Sequence, residues 1–363
     1  MNVQPFSTSK PVERGIQQLS KIENYDSSTY KTLAFYKFHK FTKPELEAFR
    51  TQLLTDLGEF GIVGRIYIST EGVNAQIACP EECLEKLEEY RKNVLNPMFD
   101  NNLMELNIGT EHGKRSFRAL HVRIRKQLIV DGLDSSTYDL DNEPSHLSPA
   151  EWHERLSTYE TQHGEKPILI DMRNHYESKI GYFDGAICPD ADTYKDSIDA
   201  MNEICENLPR DQEIFMYCTG GIRCTKAGAI LQSASKFNTV HLVEGGITSY
   251  GRWVSEQEDK ESLFRGKNFT FDARMGEKIT DEVIEHFEPS GAVMVDGVRV
   301  FMKQGEKDMD ASSKRVVIGK KGVRCDHEHT RRTRAIEILG QPGEILKEWA
   351  KAGRDLPPKP VQL

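Results

Sequence analysis

Cys218, Gly220, Gly221 and Arg223 fall within one run, Cys218-Thr219-Gly220-Gly221-Ile222-Arg223, followed directly by Cys224. An apolar stretch, Ile214 to Tyr217, precedes the run, and a helical pattern from Arg223 to Gln232 follows it. This places Cys218 at the carboxyl end of a strand, where open α/β sheets bind their ligands. The two glycines let the loop curl so that backbone N–H groups from Thr219 to Arg223 converge as an anion nest, with the positive end of the next helix behind them. A thiol held there is stabilised as thiolate: its ordinary pKa of about 8.5 falls to roughly 3.5–7.5 at helix N-termini. The plainer alternative is a small buried apolar residue, as most free cysteines are. Cys224, about one turn into the helix, reads as packing rather than as a resolving thiol. Asp171 and Arg173, which close the apolar stretch Ile168 to Ile170, read as supports for neighbouring loops.

The elements that must position this loop follow from periodicity. Residues 1–30 show neither a helical nor a strand period and read as a polar arm. Over 31–130 the expected order is strand (Leu33 to Phe38), helix opened by the capping box Thr42/Glu45, strands Arg65 to Ile68 and Val73 to Ile77, a helix from Glu81 to Leu95, and a long strand from Leu120 to Val130. That order predicts a ferredoxin-like α+β domain. Residues 131–147 have linker composition. Ser148-Pro149-Ala150-Glu151 then starts a helix and a second domain, 148–260. Its short apolar strands at Ile168 to Ile170, Ala186 to Cys188, Ile214 to Tyr217 and Val240 to Val243 alternate with helical stretches, which predicts an α/β layer with a parallel sheet. Residues 261–363 read as an irregular C-terminal extension.

Composition bounds the rest. The chain has 363 residues, long enough for two domains, and its seven cysteines are an odd number without framework spacing, as expected of free thiols in a reducing cytoplasm. No apolar run approaches the roughly 18 residues of a membrane span, and the first thirty residues carry no secretory pattern. Net charge is -9, which argues against an evenly basic surface but leaves room for local basic patches. Two exist. His121, Arg123 and Arg125 alternate along the expected long strand with Lys126 beside them, and Lys314 to Arg334 carries a second group. Such cations suit phosphate contacts; the alternatives are a solvated strand face and a charged tail.

The loop Cys218 to Arg223 resembles the active loop of the rhodanese superfamily, in which cysteine, four residues and arginine follow one another. Asp171-Met172-Arg173 with Glu177, Gly181, Gly185-Ala186-Ile187 and Glu244-Gly245-Gly246-Ile247 are similar to the entry and exit motifs of that fold, in the same order. Tyr182 departs from it, because rhodaneses usually carry histidine there. Related phosphatases have one more residue between Cys and Arg, so the loop here favours a smaller sulfur or oxygen adduct over phosphate.

Two further segments, Gly64 to Ile77 and Phe264 to Ile279, resemble the bacterial tRNA uridine hydroxylases. The resemblance implies an O2-dependent oxidoreductase that converts the wobble uridine of tRNA anticodons to 5-hydroxyuridine through the loop cysteine. It implies catalytic roles for Cys218 and Arg223, an anion-binding role for Thr219, Gly220, Gly221 and Ile222, and tRNA as the partner. The runner-up is a thiosulfate-type sulfurtransferase that forms a persulfide on Cys218. A third reading is an RNA-binding module with an unreactive loop. No Rossmann glycine fingerprint or iron triad is present, so the sequence identifies no cofactor and names no electron donor. Nor does it name a protein partner. Many members of the family carry a cysteine-rich segment after the position of Gly276. Here no cysteine follows until Cys325, and Cys325-Asp326-His327-Glu328-His329 rarely closes a tetrahedral zinc site unaided, so no metal is expected.

Overall fold

The computed structural model describes residues 29–281, apart from 114, 234–236, 238 and 273, together with the strands Ala292–Val295, Val298–Phe301 and Val317–Ile318. All but the end of the polar arm, the basic side chains from Lys314 to Arg334 and the Cys325 segment lie outside the described residues. Contacts divide the chain into two compact units, with the division between Leu128 and Ile129.

The first unit runs β1 (Tyr30–Phe38), α1 (Lys43–Glu59), β2 (Val63–Ser69), β3 (Gly72–Pro80), α2 (Leu84–Tyr90), β4 (Asn107–Gly113) and β5 (Leu120–Ile124). The Thr42 N–H donates to the Glu45 carboxylate at 2.7 Å, so the capping box forms at the start of α1. Leu46, Phe49, Leu53 and Leu57 of α1 share a core with Leu33, Phe35, Ile66 and Ile68 of the sheet. Each such side chain contributes about 1.5–3 kcal/mol of burial. The strand order is β4-β1-β3-β2-β5: the first four form the ferredoxin-like sheet, and β5 adds to its edge parallel to β2.

Two details differ from the sequence reading. The strand expected over Leu120 to Val130 ends at Ile124, and the closing strand of the ferredoxin order is β4. Past Ile124 the chain turns: the Leu128 N–H donates to the Glu71 carboxylate, which buries Leu128 through a turn while Val130 stays 56% exposed. The second helix contains a π-helical turn at Arg91–Leu95 after α2. The extra residue in that turn advances the helical phase, so Leu95 is fully buried and Val94 only partly.

The second unit contains β6 (Ser145–Leu147), α3 (Pro149–His163), β7 (Ile168–Asp171), α4 (His175–Ser178), β8 (Gly181–Phe183), α5 (Tyr194–Cys205), β9 (Ile214–Tyr217), α6 (Ile222–Ser233), β10 (Val240–Val243), α7 (Gly246–Ser255), β11 (Phe264–Asn268) and β12 (Glu277–Lys278). Strands pair in the order β6-β10-β9-β7, all parallel. Every residue of β7, β9 and β10 is buried, as a parallel sheet covered on both faces requires. The expected strand Ala186 to Cys188 is reduced to a single bridge between Ile187 and Ile170.

Residues 131–147, of linker composition, carry β6, and Asp131 is fully buried. The segment past residue 260 also re-enters this unit, where β11 pairs antiparallel with β8 through Phe264 and Phe183. Polar composition hid the first and the sparse apolar pattern hid the second.

Candidate active site

The loop between β9 and α6 is fastened by the start of α7. Ile247 N–H donates to the Cys218 carbonyl at 3.0 Å, and Thr248 N–H and Oγ1 both donate to the Thr219 carbonyl, at 3.2 and 3.1 Å. Gly246 stands at φ +66, and a Cβ there would come within 2.5 Å of the Cys218 carbonyl oxygen. Only glycine permits both that backbone angle and that approach. Gly221, at φ +103, turns its own N–H onto the Cys218 sulfur at 3.1 Å.

Cys218 is buried at the centre of this cradle. Burial pushes its thiol up. A hydrogen bond from the Cys224 thiol, the charge of Arg223 and the N–H groups of Cys224 and Gly221 outweigh burial and bring the pKa down to about 5. The group is therefore a thiolate at neutral pH. The thiols of Cys79, Cys83, Cys188 and Cys224 shift the other way, each raised first of all by burial. Of these five cysteines Cys218 alone is lowered.

Arg223 does not reach out of the loop as a free cation. Its Nη1 and Nη2 donate to the two Glu177 oxygens at 2.6 and 2.8 Å, and Nη2 also donates to Thr219 Oγ1 at 3.1 Å. Thr219 Oγ1 donates in turn to Glu177 at 3.2 Å, and the Tyr194 hydroxyl donates to the Arg223 carbonyl at 2.7 Å. Arg223 thus acts on Cys218 through its field while Glu177 fixes its plane. Phe271 lies against the guanidinium at 5.7 Å and packs in turn with Phe269, whose ring meets Tyr176. Glu177, Tyr194 and this aromatic group are missing from the sequence-based site. Glu177 was visible only as part of a motif, and the aromatic segment only as a resemblance.

Asp171 and Arg173 sit one layer away. Arg173 Nη2 donates to Asp171 at 2.6 Å and to the Gly181 carbonyl at 2.6 Å, Ser178 adds a bond to Asp171 at 2.7 Å, and both charges are fully buried. The pair ties β7 to the start of β8. The expected tRNA-contacting residues lie in the first unit: His121 and Arg123 on β5, Arg125 and Lys126 just after it, with Arg123 and Lys126 exposed. Among the described residues no group of three or more His, Cys, Asp or Glu side chains is arranged to hold a metal ion.

Fold and site together define a rhodanese-like domain with one activated cysteine, joined to a ferredoxin-like domain. The family described as UPF0176 acylphosphatase like domain matches residues 30–128, and the Rhodanese-like domain matches 148–252. A tRNA uridine(34) hydroxylase of Leptospira interrogans is 37% identical over 280 residues, which are 77% of this chain and 72% of that protein. A protein of the same name from Salmonella arizonae is 38% identical over 270 residues, 74% of this chain and 73% of that protein. A third, from Photorhabdus laumondii, is 37% identical over 260 residues, 72% and 70% of the two chains. The chain belongs to the tRNA uridine(34) hydroxylase family.

Proposed function

We propose that this protein hydroxylates C5 of uridine 34 in tRNA anticodons, with Cys218 thiolate as the reacting group. The observation that carries the reading is a buried sulfur that accepts the Gly221 N–H at 3.1 Å in an anion cradle whose donors and charge favour the thiolate, in a chain whose relatives bear that name. Uracil C5 is a poor nucleophile until a group adds at C6. Attack of the Cys218 sulfur on C6 forms a C–S bond and leaves the electron pair on C5 and O4, and an electrophilic oxygen then meets C5. With O2 as co-substrate, one oxygen atom enters the C5–H bond and the other leaves as water, which takes two electrons and two protons from a donor. Loss of the C5 proton together with elimination of the thiolate from C6 restores the C5–C6 double bond and returns Cys218 as thiolate. An oxidised Cys218, as sulfenic acid or persulfide, is the other form in which the same sulfur could serve. The loop N–H groups and the Arg223 field stabilise the anionic sulfur in each case.

The test is nucleoside mass spectrometry of tRNA from cells lacking the protein, complemented with the wild type or with Cys218→Ser, in air and without oxygen. The expected result is 5-hydroxyuridine restored only by the wild type in air. Restoration by Cys218→Ser overturns the role of the sulfur, and restoration without oxygen overturns O2 as the source. The rhodanese-like match favours one competing reading, thiosulfate sulfur transfer. It would show as thiocyanate formed from thiosulfate and cyanide, with tRNA unaltered by loss of the protein.

A further inference from the structure

The five-stranded sheet of the first unit has two unlike faces. Leu33, Phe35, Ile66, Ile68, Val73 and Val122 point into the core beneath the helices. The alternate residues point to the other face; those at the middle of the strands are partly or fully exposed, and those toward the Tyr30 end are buried. The register aligns these outward side chains in two rows across the strands. In one, Ala34, Gln76, Arg65 and His121 are successive neighbours on β1, β3, β2 and β5. In the next, Tyr36, Asn74, Tyr67 and Arg123 stand in the same order.

We infer that this open sheet face is a single-stranded RNA platform that takes unstacked bases of the substrate tRNA, an inference that rests on the function proposed above. Three features of the rows argue for RNA. Tyr36 and Tyr67 lie two strands apart, about 10 Å from strand spacing, with Asn74 between them. That places two stacking rings on either side of an amide that can pair with a base edge, and Gln76 supplies a second amide one row away. Sequence-specific RNA binding works through this combination of splayed bases, aromatic stacking and edge hydrogen bonds.

The cations lie beside the rings. The Arg125 guanidinium sits over Tyr67 at 4.9 Å, and that of Arg65 over Phe117 at 5.4 Å. With Arg123 at the exposed edge, they line the track a phosphate backbone would follow past the stacked bases. No Asp or Glu occupies an outward position of β1, β2, β3 or β5, although the whole chain carries a net charge of -9. One small apolar group, Tyr30, Val63 and Ala78 under Phe117, closes this face at one end.

The experiment uses the full chain and fluorescence anisotropy with a labelled single-stranded oligoribonucleotide of anticodon-loop sequence. Tyr36→Leu and Tyr67→Leu should each weaken binding about tenfold, and Tyr67→Phe, which keeps the ring, should bind as the wild type does. Arg123→Ala should lower the slope of log affinity against log salt by about 0.7. The rate of Cys218 alkylation should stay unchanged in all four variants, which shows that the second unit is intact. Leucine variants that bind RNA like the wild type overturn the platform. So does displacement of the RNA by polyglutamate at equal charge, which would mark a cationic patch for an acidic protein. Binding that depends on both tyrosines, alongside tRNA whose 5-hydroxyuridine is unaffected by loss of the protein, upholds the platform and sinks the proposed function instead.

Discussion

At the scale of single residues, the proposed chemistry depends on how far a buried sulfur can be held as an anion. Burial alone would keep Cys218 protonated, as it raises first of all the thiols of Cys79 and Cys188. The hydrogen bond from Cys224 leads the effects that reverse this, followed by the Arg223 charge. Cys224 is therefore more than packing: its own thiol is raised by burial and by the Cys218 thiolate beside it, so it remains a donor where Cys218 is an acceptor. The pH profile of Cys218 alkylation by iodoacetamide checks this. A group with a depressed pKa gains reactivity as pH rises through that value, so the wild-type rate should rise through a midpoint of about 5 and then level off. Cys224→Ala removes the leading favourable contact and should move the midpoint upward, with Cys224→Ser, whose hydroxyl still donates, in between. A midpoint that stays in place in Cys224→Ala would show that the Arg223 field and the backbone N–H groups suffice.

At the scale of elements, the loop conformation is imposed by its neighbour. The turn into α7 donates to the carbonyls of Cys218 and Thr219, and Gly246 is the point of closest approach. Gly246→Ala must push the Cys218 loop away or strain its own backbone, at a cost of about 1–3 kcal/mol. Melting temperature should fall and Cys218 alkylation at neutral pH should slow together. Gly220→Ala places its Cβ in open space and should leave the melting temperature unchanged. Equal stability in the two variants would refute the close approach. Much of this was legible beforehand: the strand, the two glycines and the helix start around Cys218 are adjacent in sequence, and both the Thr42/Glu45 and Ser148/Glu151 boxes form. What escaped were features that depend on distant partners. Glu177 meets Arg223 across 46 positions, and Phe271 reaches it from beyond the rhodanese-like match. β4, with Gly109 and Gly113 and no clean alternation, gains its strand character from β1.

At the scale of the whole molecule, the second unit begins earlier than its matched domain. Lys226, in α6 after the Cys218 loop, has no exposure at all. Its ammonium meets Asp131 at 2.7 Å and donates to the Ile129 carbonyl at 3.0 Å. Asp131 also accepts the Tyr138 hydroxyl at 2.8 Å and the Leu133 N–H at 2.7 Å, so this polar stretch is folded around one buried charge pair. Removing one partner of such a pair costs about 3–5 kcal/mol, because the remaining charge stays buried and uncompensated. A fragment covering 129–281 should therefore unfold at higher urea than one covering 142–281, although both retain β6 and the entire Cys218 loop. Lys226→Met in the shorter fragment should restore part of the difference, since it removes the orphaned charge while keeping the stem's volume. The same substitution in the longer fragment should destabilise it by leaving Asp131 unpaired. Urea midpoints that coincide for the two fragments, or Lys226→Met acting in the same direction in both, would show that the segment before β6 is a tether with no part in holding α6 beneath Cys218.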